Sequence, residues 1–191
     1  MNALLERVRH RVTVDEFHKM GEAGVFMEDD RVELIDGEMV DMAPIGSRHA
    51  SVVKRLNNLL ATLAPGRAIV SAQDPLRLAP HSEPEPDIML LKPRADFYSE
   101  AHPDAQDVLL LIEVCDTTVH YDREVKLPLY ARHGVVEVWL IDLEARTVEI
   151  CCTPQTETGE YAERKAYSGG SVAPRTLPDC CVVVEELFPR L

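Results

Sequence analysis

Asp87 and Glu113 sit where a carboxylate has most need of a partner. Asp87 opens the apolar run Ile88 to Leu91, and Glu113 nearly closes the run Leu109 to Val114. An ionised acid beside such a strand must be compensated, because desolvating an unpaired charge is costly. If the two strands are antiparallel neighbours, their acidic ends meet at one edge of the sheet and offer the oxygen ligands that Mg²⁺ prefers. The plainer alternative is that each acid caps a loop or pairs with an arginine. Asp122 and Lys126 lie four apart on one helical face, on a helix that follows Glu113 after a short loop. The first turns of that helix return toward the end of the strand, within a lysine's reach of the acids. Its other outcome is a surface ion pair with Asp122, worth a few tenths of a kcal/mol.

The elements that must position these residues follow from hydrophobic period and turn chemistry. Thr13 and Glu16 have capping-box spacing ahead of a first helix in which Val14, Phe17 and Met20 recur at helical intervals. Asp36-Gly37 between Arg31–Ile35 and Glu38–Met42 predicts a tight hairpin, since a type I′ turn wants positive φ at both central residues. Ser47 is a candidate cap for a second helix with Val53, Leu56, Leu60 and Leu63 on one stripe, ended by Pro65-Gly66. Residues 67–79 read as two short strands broken near Gln73, 87–91 as a buried strand, and 92–106 as a long irregular stretch. The aliphatic run 108–114 is a central strand covered on both faces. It is followed by a third helix over 122–133, closed by Gly134, and a strand over 136–141, which together make a crossover unit. The segments 147–153, 160–167 and 180–187 alternate like an antiparallel extension.

Composition limits what such a site serves. With 191 residues, 46% hydrophobic and 28% charged, the chain suits one globular domain over residues 1–191. No window approaches a membrane span and the first eleven residues lack a secretory apolar stretch, so a cytoplasmic address is expected. Five cysteines, including the adjacent pairs Cys151-Cys152 and Cys180-Cys181, read as reduced buried thiols, because neighbours on a strand face opposite ways and do not share a zinc ion. The net charge of -13 opposes a wide grip on nucleic acid, which needs clustered cations. Screening leaves room for local patches, and candidates are Arg7, Arg9 and Arg11; Arg48, Lys54 and Arg55; and Arg123, Lys126 and Arg132. Each is equally readable as a solvated helix face.

Taken together, the strings Val32-Glu33-Leu34-Ile35-Asp36-Gly37-Glu38, Pro86-Asp87, Leu111-Ile112-Glu113-Val114, Tyr121-Asp122-Arg123 with Lys126, Leu129-Tyr130-Ala131-Arg132 and Glu137-Val138-Trp139-Leu140-Ile141-Asp142 resemble the Uma family of restriction-endonuclease-like proteins in order and spacing, over about residues 13 to 167. The resemblance implies an α/β (α+β) fold of the PD-(D/E)XK nuclease superfamily: a restriction-endonuclease-like mixed sheet flanked by helices, with extra antiparallel C-terminal strands. It implies that Asp87 and Glu113 are metal ligands and that Lys126 takes the role of the usual lysine, whose position two after the glutamate is here Cys115. Glu33 matches a further acidic position that assists a second ion or orients water; by its own sequence it is equally an exposed strand residue. His49 is expected on a helix surface.

The implied activity is a Mg²⁺- or Mn²⁺-dependent DNA endonuclease hydrolysing phosphodiesters, acting as a homodimer. The alternatives are a non-catalytic nuclease-fold binding or scaffold protein, which the acidity favours, and a hydrolase of small phosphate esters. Two departures bear on the site. Cys115-Asp116-Thr117-Thr118 replaces a Ser-Pro-Ser-like turn, and Pro128 falls inside the third helix, where it costs about 3 kcal/mol unless the helix starts late or kinks.

Overall fold

Successive side chains of a strand face opposite ways, so a strand buried on both sides hands alternate residues to two different helices. The computed structural model describes residues 10–27 and 30–188. In chain order these form α1 (Val14–Glu22), β1 (Val32–Ile35), β2 (Glu38–Asp41), α2 (Ser47–Leu63), β3 (Ile69–Ser71), β4 (Ile88–Leu91), β5 (Val108–Cys115), the helical segment α3 (119–132), β6 (Glu137–Asp142), β7 (Thr147–Gln155), β8 (Glu160–Tyr167), β9 (Ser171–Val172), β10 (Val182–Val183) and α4 (Val184–Leu187). Strands β3 to β8 make one six-stranded sheet in that spatial order. Every pair is antiparallel except β5–β6, which is parallel because α3 carries the chain back across the sheet.

The even-numbered residues Ile88, Leu90, Leu110, Ile112 and Val114 share a core with Val52, Val53, Leu56 and Leu60 of α2, closed by Leu187 of α4. The odd-numbered Met89, Leu91, Leu111 and Cys115 face the other way, onto Leu127, Tyr130 and Ala131 of α3. Parity therefore assigns Glu113 to the face that α3 covers.

Local chemistry agrees with the expected starts and turns. The Thr13 capping box is complete, with Glu16 N–H donating to Thr13 Oγ1 at 3.2 Å and Thr13 N–H to Glu16 Oε2 at 2.9 Å. Asp36 and Gly37 both have positive φ, and a Cβ on Gly37 would come within 2.7 Å of the Arg11 Cβ.

Elsewhere the structure departs from the sequence expectations. Gly46, not Ser47, is the N-cap of α2, and no side chain caps that end. Of the two strands expected over 67–79 only β3 forms; the remainder makes isolated bridges at Arg77 and Leu78. Residues 180–187 do not extend the main sheet. Val182 and Val183 pair with β9 in a separate two-stranded sheet, and the chain then turns into α4 because Val184 and Leu187 are needed against α2. Cys115, Cys151, Cys152 and Cys180 are buried free thiols, whereas Cys181 is exposed.

Pro128 is accommodated by a π-helical turn. Residues Asp122–Lys126 form it, flanked by α-helical Val119–Tyr121 and Leu127–Arg132. The Leu127 N–H reaches back to the Asp122 carbonyl, one residue beyond the α-helical partner, so the widened turn absorbs the proline, which then sits in the first turn of the following α-helical piece.

Leu60 is fully buried between α2 and the sheet. Leu60→Ala is expected to cost about 2–5 kcal/mol, read as a lower urea midpoint with an unchanged m-value.

Candidate active site

The register of β4 against β5 places Ile88 opposite Ile112, so Asp87 and Glu113 arrive together at one end of the pair. The contacts are direct. The Val114 N–H donates to Asp87 Oδ2 at 2.8 Å, and the Asp87 N–H points at Glu113 Oε2 at 3.4 Å. The antiparallel arrangement considered from sequence is the one that forms, and both carboxylates are buried.

On the same face α3 supplies two donors one turn apart. Lys126 Nζ donates to Glu33 Oε1 at 2.7 Å and lies 3.4 Å from Glu113 Oε1. The Tyr130 hydroxyl donates to that same Glu113 oxygen at 2.5 Å. Glu33 comes from β1, is only 2% exposed, and also accepts from the Glu85 N–H at 3.2 Å. The exposed-strand reading of Glu33 is thus set aside, because it is needed as the counter-charge to a buried ammonium group. Asp122 does not pair with Lys126 on the surface; it is buried and accepts from Thr118 Oγ1 at 2.7 Å.

Asp87, Glu113, Lys126, Glu33, Glu85 and Asp122 line a cleft of about 330 Å³, together with Arg31, His49, Gln73, Asp116, Tyr121 and the apolar segment Met42-Ala43-Pro44-Ile45, while Tyr130 lies behind Glu113, outside the lining. His49 corrects its sequence expectation. It is in the first turn of α2, and its Nε2 lies 2.9 Å from Asp87 Oδ2, with the side chain 15% exposed. Gln73 N–H hydrogen-bonds to the Pro86 and Asp87 carbonyls, its backbone is left-handed with φ 58°, and its amide points at Asp87 Oδ1 at 3.4 Å.

The electrostatics favour an added cation. Burial pushes the Glu113 carboxyl upward, opposed by Lys126 and reinforced by Asp87 and Asp122. Burial likewise raises Asp122 and Glu85. Burial alone would lower Lys126, but Glu113 and Glu33 outweigh it and hold the ammonium protonated. His49 is drawn down by burial and raised more by Asp87, Asp116 and Asp122. Glu33, Asp41, Glu85, Asp87, Glu113, Asp116 and Asp122 line the cleft against Arg31, His49 and Lys126, so acids exceed cations.

The donor set fits a hard divalent ion. Among the described residues no three or more His, Cys, Asp or Glu are grouped as a ready-made cage. Magnesium asks for less, one or two carboxylates with water and phosphate completing its shell. Asp87 Oδ1 and Glu113 Oε2 each have only a 3.4 Å hydrogen bond and keep lone pairs for such an ion.

Asp87, Glu113, Lys126 and Glu33 therefore lie together in one cleft. Tyr130, His49 and Gln73 were not expected beside them. Tyr130 had a usable signal, since it stands four residues after Lys126 on the same helical face; Gln73 had none beyond the break in the strand pattern. Arginines of all three basic clusters are answered by acids, and Arg11 of the first and Arg132 of the third meet at Asp36. Arg48 pairs with Asp116, Arg123 with Asp142 and Glu149, and Arg132 with Asp36, while Arg7 and Arg9 lie outside the described residues.

A mixed six-stranded sheet with helices on both faces, and an acid at the end of each of two adjacent central strands, defines a restriction-endonuclease-like protein. The chain belongs to the Uma2 family, described as "Putative restriction endonuclease", which it matches over residues 14–186. Its structure is similar to the crystal structure of "a putative nuclease belonging to DUF820 from Anabaena variabilis ATCC 29413", with a TM-score of 0.70 at 18% sequence identity, covering 93% of this chain and 97% of that one. No curated protein sequence matches.

The upward shift of Glu113 has a definite sign in stability. An acid whose folded pKa is raised binds more protons in the folded state than in the unfolded, so stability falls as pH climbs from the unfolded value to the raised one. In chelator, the urea midpoint is expected to decline between about pH 5 and pH 8. Glu113→Gln should flatten part of that decline, and millimolar Mg²⁺ should restore more stability at the alkaline end than at the acidic end.

Proposed function

We propose that the cleft is the active site of a metal-dependent nuclease that hydrolyses phosphodiester bonds in DNA. One observation carries this reading: the Lys126 ammonium group is held between Glu33 and Glu113 in the same cleft as Asp87. Asp87 and Glu113 would hold Mg²⁺ or Mn²⁺, and the ion would supply a polarised phosphate and a water acidic enough to attack it.

The protein's own side chains do the rest. Glu33 and Glu113 fix the Lys126 ammonium group, which is positioned to orient the attacking water or to stabilise charge on the phosphate. Tyr130 and the Val114 N–H fix the two carboxylates, so the metal ligands are oriented before substrate arrives. His49 holds the same Asp87 oxygen as the Val114 N–H, which leaves Oδ1 turned to the ion. On this reading residues 1–191 act as one domain in the cytoplasm, paired as a homodimer that covers the exposed edge of the sheet at β8. Among the described residues no helix is long and apolar enough to cross a membrane.

The net charge of -13 favours a second reading, a nuclease-fold protein that binds without cutting. Incubation of supercoiled plasmid with Mg²⁺ or Mn²⁺ separates the two. Nicking is expected from the native chain, with a loss of about 100-fold or more in Lys126→Ala and Asp87→Asn, and none in chelator. Equal nicking by all three proteins would identify a contaminant, and no nicking by any would favour the binding protein.

A further inference from the structure

Two buried polar atoms on residues lining the cleft have no hydrogen-bond partner. Among the described residues the buried side-chain atoms without a hydrogen bond are the Tyr121 hydroxyl, His49 Nδ1, Glu83 Oε2 and Arg123 Nε, and the first two belong to residues lining this cleft. A buried hydroxyl without a partner is costly, and such groups in a folded protein call for a reason. The Tyr121 hydroxyl is kept protonated, because burial and the acids around it push its pKa up to about 12. It is therefore a neutral donor buried beside a cleft rich in acids, without an acceptor.

The cleft also has an apolar wall, built from the segment linking β2 to α2. Met42, Ala43, Pro44 and Ile45 line the cleft, with Ile45 43% exposed and Ala43 and Pro44 open to solvent. Polar and apolar lining in one cleft suits a ligand with a charged end and a flat hydrophobic one. The volume of about 330 Å³ lies at the small end of ligand pockets and has room for one nucleotide.

A duplex asks for something different. It is held by an interface of roughly 1,000 Å² or more and by many phosphate contacts from free cations. Here Arg31 is 3.5 Å from Glu85 and Arg48 is 3.5 Å from Asp116, so the arginines nearest the cleft are already answered by acids. A single strand needs far fewer phosphates, because apolar and aromatic contact with unstacked bases supplies much of its affinity.

We infer that the substrate is single-stranded nucleic acid, taken one nucleotide at a time: its phosphate accepts from Lys126 and the Tyr121 hydroxyl, and its base lies against the Met42 to Ile45 wall. This rests on the reading of the cleft as a phosphodiesterase site, but it specifies a ligand that can be measured without cleavage.

The first measurement is fluorescence anisotropy of a labelled 12-nucleotide oligo-dT, alone or annealed to oligo-dA, with the full chain in Ca²⁺. Single strand is expected to bind at least 10-fold more tightly than duplex. With one phosphate engaged, its affinity should fall only about threefold between 50 and 200 mM salt. Tyr121→Phe should weaken single-strand binding about fivefold without lowering Tm, a combination that a merely structural hydroxyl would not give. Ile45→Asp should weaken it at least 10-fold.

The second measurement repeats the comparison as cleavage in Mn²⁺, where Ile45→Asp should raise KM with kcat within twofold. Preferential binding of single strand without cleavage would keep the inference and remove the nuclease reading. Cleavage with equal or tighter duplex binding, or no binding of either oligonucleotide, would overturn the inference.

Discussion

A lysine ammonium group buried at 6% residue exposure among carboxylates is the constraint around which this molecule is arranged. Lys126 cannot sit there alone, because a buried unpaired charge is among the most costly groups a fold can contain. Its partners come from elements far apart in sequence: Glu33 from the β1–β2 hairpin and Glu113 from the central strand. That three-way contact ties the hairpin, α3 and β5 together, and the π-helical turn belongs to it, since the turn buries both Asp122 and Lys126 while accommodating Pro128. Yet the ammonium group does not balance the cleft. Asp87, Asp122 and a burial-raised Glu113 leave a deficit of positive charge, and a divalent ion is the simplest group that would fill it.

The parts of this arrangement that follow local rules were legible in the sequence. Asp87 and Glu113 stand at the ends of apolar strands, and Lys126 at a distance along a returning helix that brings it within reach, although each kept a plainer reading until the family resemblance singled it out. The hairpin and the first helix were equally readable, because Asp36-Gly37 and the Thr13/Glu16 pair act within a few residues. Resemblance to a nuclease family supplied Glu33, which local sequence left undecided. The family match and the mixed six-stranded sheet bear out that resemblance and the fold it implied.

Other features depend on contacts that no local pattern encodes. His49 looks like a helix-surface residue until the turn of α2 on the sheet brings it to Asp87. Gln73 takes a left-handed backbone because its N–H is shared by the Pro86 and Asp87 carbonyls, and nothing in its neighbours requires that. Residues 180–187 alternate like a strand, but their apolar side chains are claimed by α2, and packing overrides the pattern. Pro128 announced a disturbance in α3, while its form, a widened turn and not a late start or a break, depends on how α3 packs against the sheet.

The central claim is that the charge deficit between Asp87 and Glu113 is a divalent-cation site. Crystals of the native chain soaked in Mn²⁺ and measured for anomalous scattering test it most directly. The account predicts a peak within coordination distance of both carboxylates and on the Lys126 side of the cleft, lost in Asp87→Asn. A saturating soak with no peak there, or with manganese bound only elsewhere, would contradict it.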